Sequence, residues 1–120
     1  MDKTLHMTML FDFFGELLTE KQREYFDLYY NENLSLSEIA ENEGISRQGV
    51  RDIIIRAEAI LLETEKKTGI VKRYIEMQND IAAIEGYLQE INLLNQSRFK
   101  NGRLQELSNN IFERLQLLKS

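Results

Sequence analysis

Apolar residues recur along this chain at steps of three and four over almost its whole length, and no stretch alternates in the manner of a strand. The pattern therefore predicts an all-α fold. A first helix is expected over residues 4–18, with Met7, Leu10, Phe11, Phe14 and Leu18 in one stripe. Thr19 punctuates it, and the run TEKQ at residues 19–22 has the form of a capping box. It opens a second helix, in which Tyr25, Phe26, Leu28 and Tyr29 make a broad apolar face that ends at residues 31–33.

The next stretch, LSEIAENEGISRQGVRDIIIRA at residues 36–57, reads as two helices joined by a tight turn at Glu43, Gly44 and Ile45. Such a pair is a helix-turn-helix signature, which points to binding rather than catalysis. Ser35 with Glu38 forms a further capping box, Ala40 is small enough for a close approach, and Gly44 supplies the turn. Ser46 caps the following helix, whose Val50, Ile53, Ile54 and Ala57 form the packing stripe together with Ile39 and Ile45. Gln48, Arg51, Asp52 and Ile55 face outward, where base readout takes place in motifs of this kind. Glu43 dissents, because it sits where many such motifs bury an apolar side chain. The fourth helix continues to Lys66 and Lys67, which complement its C-terminal dipole, and stops at Gly69.

Beyond Gly69, the residues Tyr74, Met77, Ile81, Ile84, Leu88 and Ile91 follow alternating steps of three and four and read as one packing seam. Residues 95–102 read as a turn, and Leu104, Leu107, Ile111, Leu115 and Leu118 give a last helical stripe, so the two helices are expected to fold back as a hairpin. Ile75, Leu93, Leu94, Phe112 and Leu117 lie outside these seams. That surplus is more than one hairpin can bury, so a homodimer through the C-terminal helices is expected. The organisation read from the sequence is a helix-turn-helix domain over 1–68 and a helical hairpin and dimerisation region over 69–120.

Composition narrows the chemistry. The 120 residues contain no cysteine and no proline, which removes disulfides and thiolate chemistry, and the lone His6 lacks visible companions for a metal site. No cofactor is expected. The N-terminal stretch is not a signal peptide, no run is apolar enough to span a bilayer, and a cytoplasmic protein without membrane insertion is the expectation. The carboxylates read as a solvated face, with no glycine-rich phosphate loop or nucleophile elbow, so no catalytic residue is assigned and an enzyme is not expected. The aromatics of the first two helices read as core by their spacing, with Phe13 and Tyr30 as exposed exceptions. Phe13, Tyr30 and Ile55 are accordingly candidates for protein contact.

Charge complicates the binding reading. The formal net charge is −5, with 8 basic against 14 acidic side chains in residues 1–68 and 7 against 6 in residues 69–120. The half with the motif is the acidic one, whereas nucleic-acid binders present an excess of Lys and Arg. Arg47, Arg51 and Arg56 along one helix offer a weak phosphate-binding ridge, opposed by Asp52, although a carboxylate can accept a hydrogen bond from cytosine. The nucleic-acid candidates are Ser46, Arg47, Gln48, Arg51, Asp52 and Arg56.

The IAE, GISR, V and I pattern of this motif resembles the promoter-reading fourth region of bacterial sigma factors. At greater length, the SRQGVRD run following YYNENLSLSEIAE is similar to the YlxM family of small bacterial proteins, with Ser46, Arg47, Gln48, Val50 and Asp52 at matching positions. That family is known for genes beside those of the signal recognition particle GTPase. The resemblance implies a regulator of this membrane-targeting pathway with the GTPase or its RNA as partner, and it carries over no catalytic residue. Two functions follow: a regulatory binding protein of that pathway, or a transcriptional regulator reading duplex DNA with its fourth helix.

Overall fold

Helix ends are fixed locally by capping side chains. A computed structural model describes residues 2–119. Asp2 opens α1 (Lys3–Phe14) by accepting from the Leu5 N–H at 2.8 Å. The Thr19 capping box opens α2 (Glu20–Tyr30), and the Ser35 box opens α3 (Leu36–Glu43), with the serine hydroxyl and the Glu38 carboxylate each at 3.0 Å from the other residue's backbone N–H. Hydrogen bonds donated to it by the Ser35 backbone N–H first and the Ser35 hydroxyl second hold the Glu38 carboxyl below the usual carboxylate range. Gly44 ends α3 at φ 69°, a left-handed conformation that costs a side chain with a Cβ about 1–2 kcal/mol. Ser46 then opens α4 (Arg47–Thr68), which Gly69 ends at φ 63°. Beyond it lie α5 (Ile70–Leu94), a π-helical turn (Asn95–Phe99) and α6 (Gly102–Lys119). Among the described residues there is no strand.

Helix α1 is shorter than its apolar stripe predicts. It gives way after Phe14 to a single 3-10 turn (Gly15–Leu17), and Leu18 is extended but buried. The Phe11 ring stacks on Phe26 with centroids 4.7 Å apart and lies over Gly15, 3.3 Å from where a Cβ would stand.

The chain forms two compact units, dividing between Val71 and Lys72. In the first, α4 is the spine, with α1, α2 and α3 packed along it. Its buried stripe of Val50, Ile54, Ala57 and Leu61 keeps steps of four and three, and Tyr25, Ile39 and Ala40 close over the upper part. Ile53 is only half-buried. Ile45, expected in the packing stripe, is instead 38% exposed, because it belongs to the turn and lays its side chain against Gly49 rather than into the core.

In the second unit α5 and α6 form an antiparallel hairpin. Ile81, Leu88 and Leu115 make its apolar core, and Glu85 of α5 is reached from α6 by the Gln116 amide at 3.1 Å and the Lys119 ammonium at 3.2 Å. Asn95 closes the turn. Buried to 4% exposure, its side chain accepts from the Asn101 N–H at 2.8 Å and donates to the Asn101 carbonyl at 2.9 Å. Asn101 in turn caps α6 by accepting from Arg103 and Leu104.

The single seam predicted for α5 is split. Ile81 and Leu88 are buried, whereas Tyr74, Met77, Ile84 and Ile91 are between 40% and 50% exposed. The small Ser108, buried on α6, lets the helices close on one side of that stripe, and the hydrogen bond and ion pair at Glu85 hold them there.

Candidate functional site

The turn and the start of α4 are set by short-range bonding. The Ser46 hydroxyl accepts from the Gly49 N–H at 3.0 Å, and a Cβ at Gly49 would stand only 3.2 Å from that oxygen. Ser46 is thus occupied as a cap, with its hydroxyl proton free to donate. Arg47, Gln48, Arg51, Asp52, Ile55 and Arg56 are all exposed.

A regular helix advances about 100° per residue, which divides these side chains into three groups. Gln48, Asp52 and Ile55 occupy the outward centre. Arg47 and Arg51 lie on one flank, about 40° apart, and Arg56 stands on the other, about 180° round from Arg47. The three arginines therefore do not form the single ridge expected from the sequence; they bracket a central strip. Within that strip the Gln48 side-chain amide donates to Asp52 Oδ1 at 2.9 Å, so the carboxylate that would oppose phosphate is partly occupied by its neighbour one turn earlier.

Beside this face lies a cleft of about 210 Å³ lined by Lys3, Tyr29, Leu36, Arg51, Ile54, Ile55 and Glu58. Four helices contribute to it. Glu58, largely buried with 16% of its side chain exposed, pairs with Lys3 Nζ at 3.6 Å. It also accepts the Tyr30 hydroxyl. Burial, followed by the Glu58 charge and that hydrogen bond, drives the Tyr30 pKa far above the ordinary tyrosine range.

Tyr30 is consequently not the exposed anchor expected from its spacing. Its ring stacks on Phe26 with centroids 4.4 Å apart and meets Tyr29 edge-on at 5.1 Å, and it is half-buried. Phe13 and Ile55 are exposed, both at 42%; Ile55 lines the cleft and Phe13 does not. Lys3, Tyr29 and Glu58 were missed by sequence reasoning, because residues from α1, α2 and α4 converge here with no local motif to mark them.

Glu43 is exposed at the end of α3. It has a carboxylate partner on α2, since its charge, followed by desolvation and a shared hydrogen bond, raises the Glu24 pKa. Burial, followed by the charges of Glu43 and Glu24, raises that of Tyr25. No group of three or more His, Cys, Asp or Glu side chains among the described residues is placed to hold a metal ion. No described helix is long and apolar enough to cross a membrane.

A capped helix pair joined at a left-handed glycine, with its second helix exposing a polar strip between arginines, defines a helix-turn-helix protein. The family described as "Putative helix-turn-helix protein, YlxM / p13 like" matches residues 1–101, and the chain belongs to it. Among its relatives, the UPF0122 protein of Thermoanaerobacter sp. (strain X514) is 51% identical over 84 residues, covering 70% of this chain and 72% of its own length. That of Caldanaerobacter subterraneus subsp. tengcongensis shows the same identity and coverage. The UPF0122 protein of Bacillus mycoides (strain KBAB4) is 47% identical over 90 residues, 75% of this chain and 82% of its own.

Proposed function

We propose that the chain is a non-catalytic regulatory binding protein of the signal recognition particle pathway. It acts in the cytoplasm as a homodimer formed through its C-terminal helices, and it meets the targeting GTPase or its RNA with the outward face of α4 and the adjoining cleft. The observation that carries this reading is the mixed character of that face. A polar centre in which Gln48 holds Asp52 is bracketed by arginines and bordered by the apolar Ile55, on a region with 8 basic against 14 acidic side chains. A duplex reader draws most of its affinity from cationic excess, and here acid prevails, so a partner that presents basic surface is favoured.

Duplex DNA is the second reading, because an amide and a carboxylate at the centre of a helix flanked by arginines can address adenine and cytosine edges while the flanks meet phosphate. Binding of the purified targeting GTPase, its RNA and duplex DNA, followed by fluorescence anisotropy between about 50 and 200 mM salt, separates the two. Because RNA carries the same phosphate charge as DNA, the expected result is tighter binding of the GTPase than of either nucleic acid. If α4 reads DNA instead, a duplex binds best and Arg51→Ala lowers the slope of its salt dependence by about 1. Equal, weak binding of all three ligands would end the first reading.

A further inference from the structure

Each helix of the hairpin carries one row of period seven that the fold buries and a second, apolar row that it leaves exposed. The buried row is Ile81 and Leu88 on α5, continued by Asn95 in the turn, and Ser108 and Leu115 on α6. The second rows are Met77, Ile84 and Ile91 on α5 and Leu104, Ile111 and Leu118 on α6, and they are between 40% and 57% exposed.

Each second row is offset from its buried row by about 60° round the helix, in the same rotational sense along each chain direction. Because α5 and α6 run antiparallel, that shared sense brings both rows to the same side of the hairpin. Glu85, Gln116 and Lys119 occupy the other side. One face of the hairpin is thus made of two uncharged apolar rows, while Leu93, Phe112 and Leu117 are apolar side chains exposed outside it.

We propose that this face is the docking surface for a second copy of the chain, two hairpins packing across a two-fold axis as a four-helix bundle with the six second-row side chains as its core. Three observations favour a second copy over an unrelated protein. The rows continue for the length of both helices, as a self-complementary bundle requires. The six side chains expose on the order of 500 Å², and Tyr87, Leu94 and Leu107 at the margin bring the face to roughly the 800 Å² per partner of a standard interface. Residues 72–120 hold 7 basic and 6 acidic side chains, so two copies meet here almost without net repulsion, whereas residues 1–68 repel their own kind.

This inference rests on the self-association included in the proposed function and assigns it to particular side chains. The test is sedimentation equilibrium of the full chain at about 10 µM, where interfaces of standard size hold. The wild type is expected near twice the 14.2 kDa of one chain. Ile84→Glu with Ile111→Glu is expected at the monomer mass with unchanged helicity, both sites being close to half exposed in the single chain. Leu93→Glu, at a residue 65% exposed but turned away from the face, is expected to stay dimeric.

A monomeric wild type overturns both the docking face and the self-association. A double variant that remains dimeric overturns the face and leaves self-association standing, and loss of the dimer in Leu93→Glu overturns the face equally. Should the double variant lose helicity, Met77→Gln with Leu118→Gln at the row ends gives the same reading; the expected result is at least a tenfold weaker dimer, and an unchanged one refutes the face.

Discussion

The side chains that shape the candidate surface act through partners distant in sequence. Tyr30 is held by Glu58, Glu58 is shared with Lys3, and the three belong to α2, α4 and α1, so Lys3 and Glu58 of the cleft wall form a small network with Tyr30 rather than acting as independent groups. Glu24 and Glu43 form a like-charge pair between α2 and α3, which gives a testable pH dependence. Because the folded pKa of Glu24 is raised above its unfolded value, its favourable contribution is fully present below the ordinary carboxylate pKa and is lost as pH rises through the folded one. At pH 7 the pair repels. Glu24→Gln, which removes the charge and keeps a donor for Glu43, is expected to raise the melting temperature at pH 7 and to have a smaller effect at about pH 4, below the ordinary carboxylate value from which Glu24 is raised. Both side chains are exposed, so the gain is small and fades in molar salt. Equal gains at both pH values in thermal melts would remove the electrostatic explanation.

Helix ends were the most legible features at the next scale up. Thr19, Ser35, Ser46, Gly44 and Gly69 stand where a capping or left-handed residue is needed, and each acts on groups within five residues of itself. The end of α1 was not legible in its stripe, which continues through Leu18, whereas the helix stops at Phe14 and Leu18 is extended immediately before the Thr19 cap. The turn between α5 and α6 was legible as a turn and illegible as a device. Asn95 replaces, with one side chain, the partners that both the N–H and the carbonyl of Asn101 would otherwise lack. Asn95→Ala leaves those groups short of partners in a part-buried site and is expected to cost about 1–3 kcal/mol of hairpin stability. Hydrogen exchange of the amides around Asn101 checks it, and protection equal to that of the wild type would show the clasp to be dispensable.

At the scale of the whole molecule, the two units differ in how much they bury. The first assembles four helices around a core running from Met7 to Leu61, whereas the second has Ile81, Leu88 and Leu115 as its apolar core and leaves two apolar rows exposed. A hairpin that completes its core only by pairing acquires a concentration-dependent stability. Its melting midpoint, followed by circular dichroism, is expected to rise between about 1 and 100 µM protein in the wild type and to stay constant in the Ile84→Glu, Ile111→Glu variant. The same midpoint at every concentration in the wild type would mean that the hairpin is stable alone. By itself the sequence determined the all-helical class, the capped helix pair and its outward face, because caps, turn glycines and helical periodicity are properties of a few neighbouring residues. Only the tertiary structure decided which apolar row of the hairpin is buried, that Tyr30 turns inward to Glu58, that Glu43 meets Glu24, and that the three arginines of α4 bracket a strip instead of lining a ridge. Periodicity names a stripe, but the shape and charge of what packs against it select the side that closes.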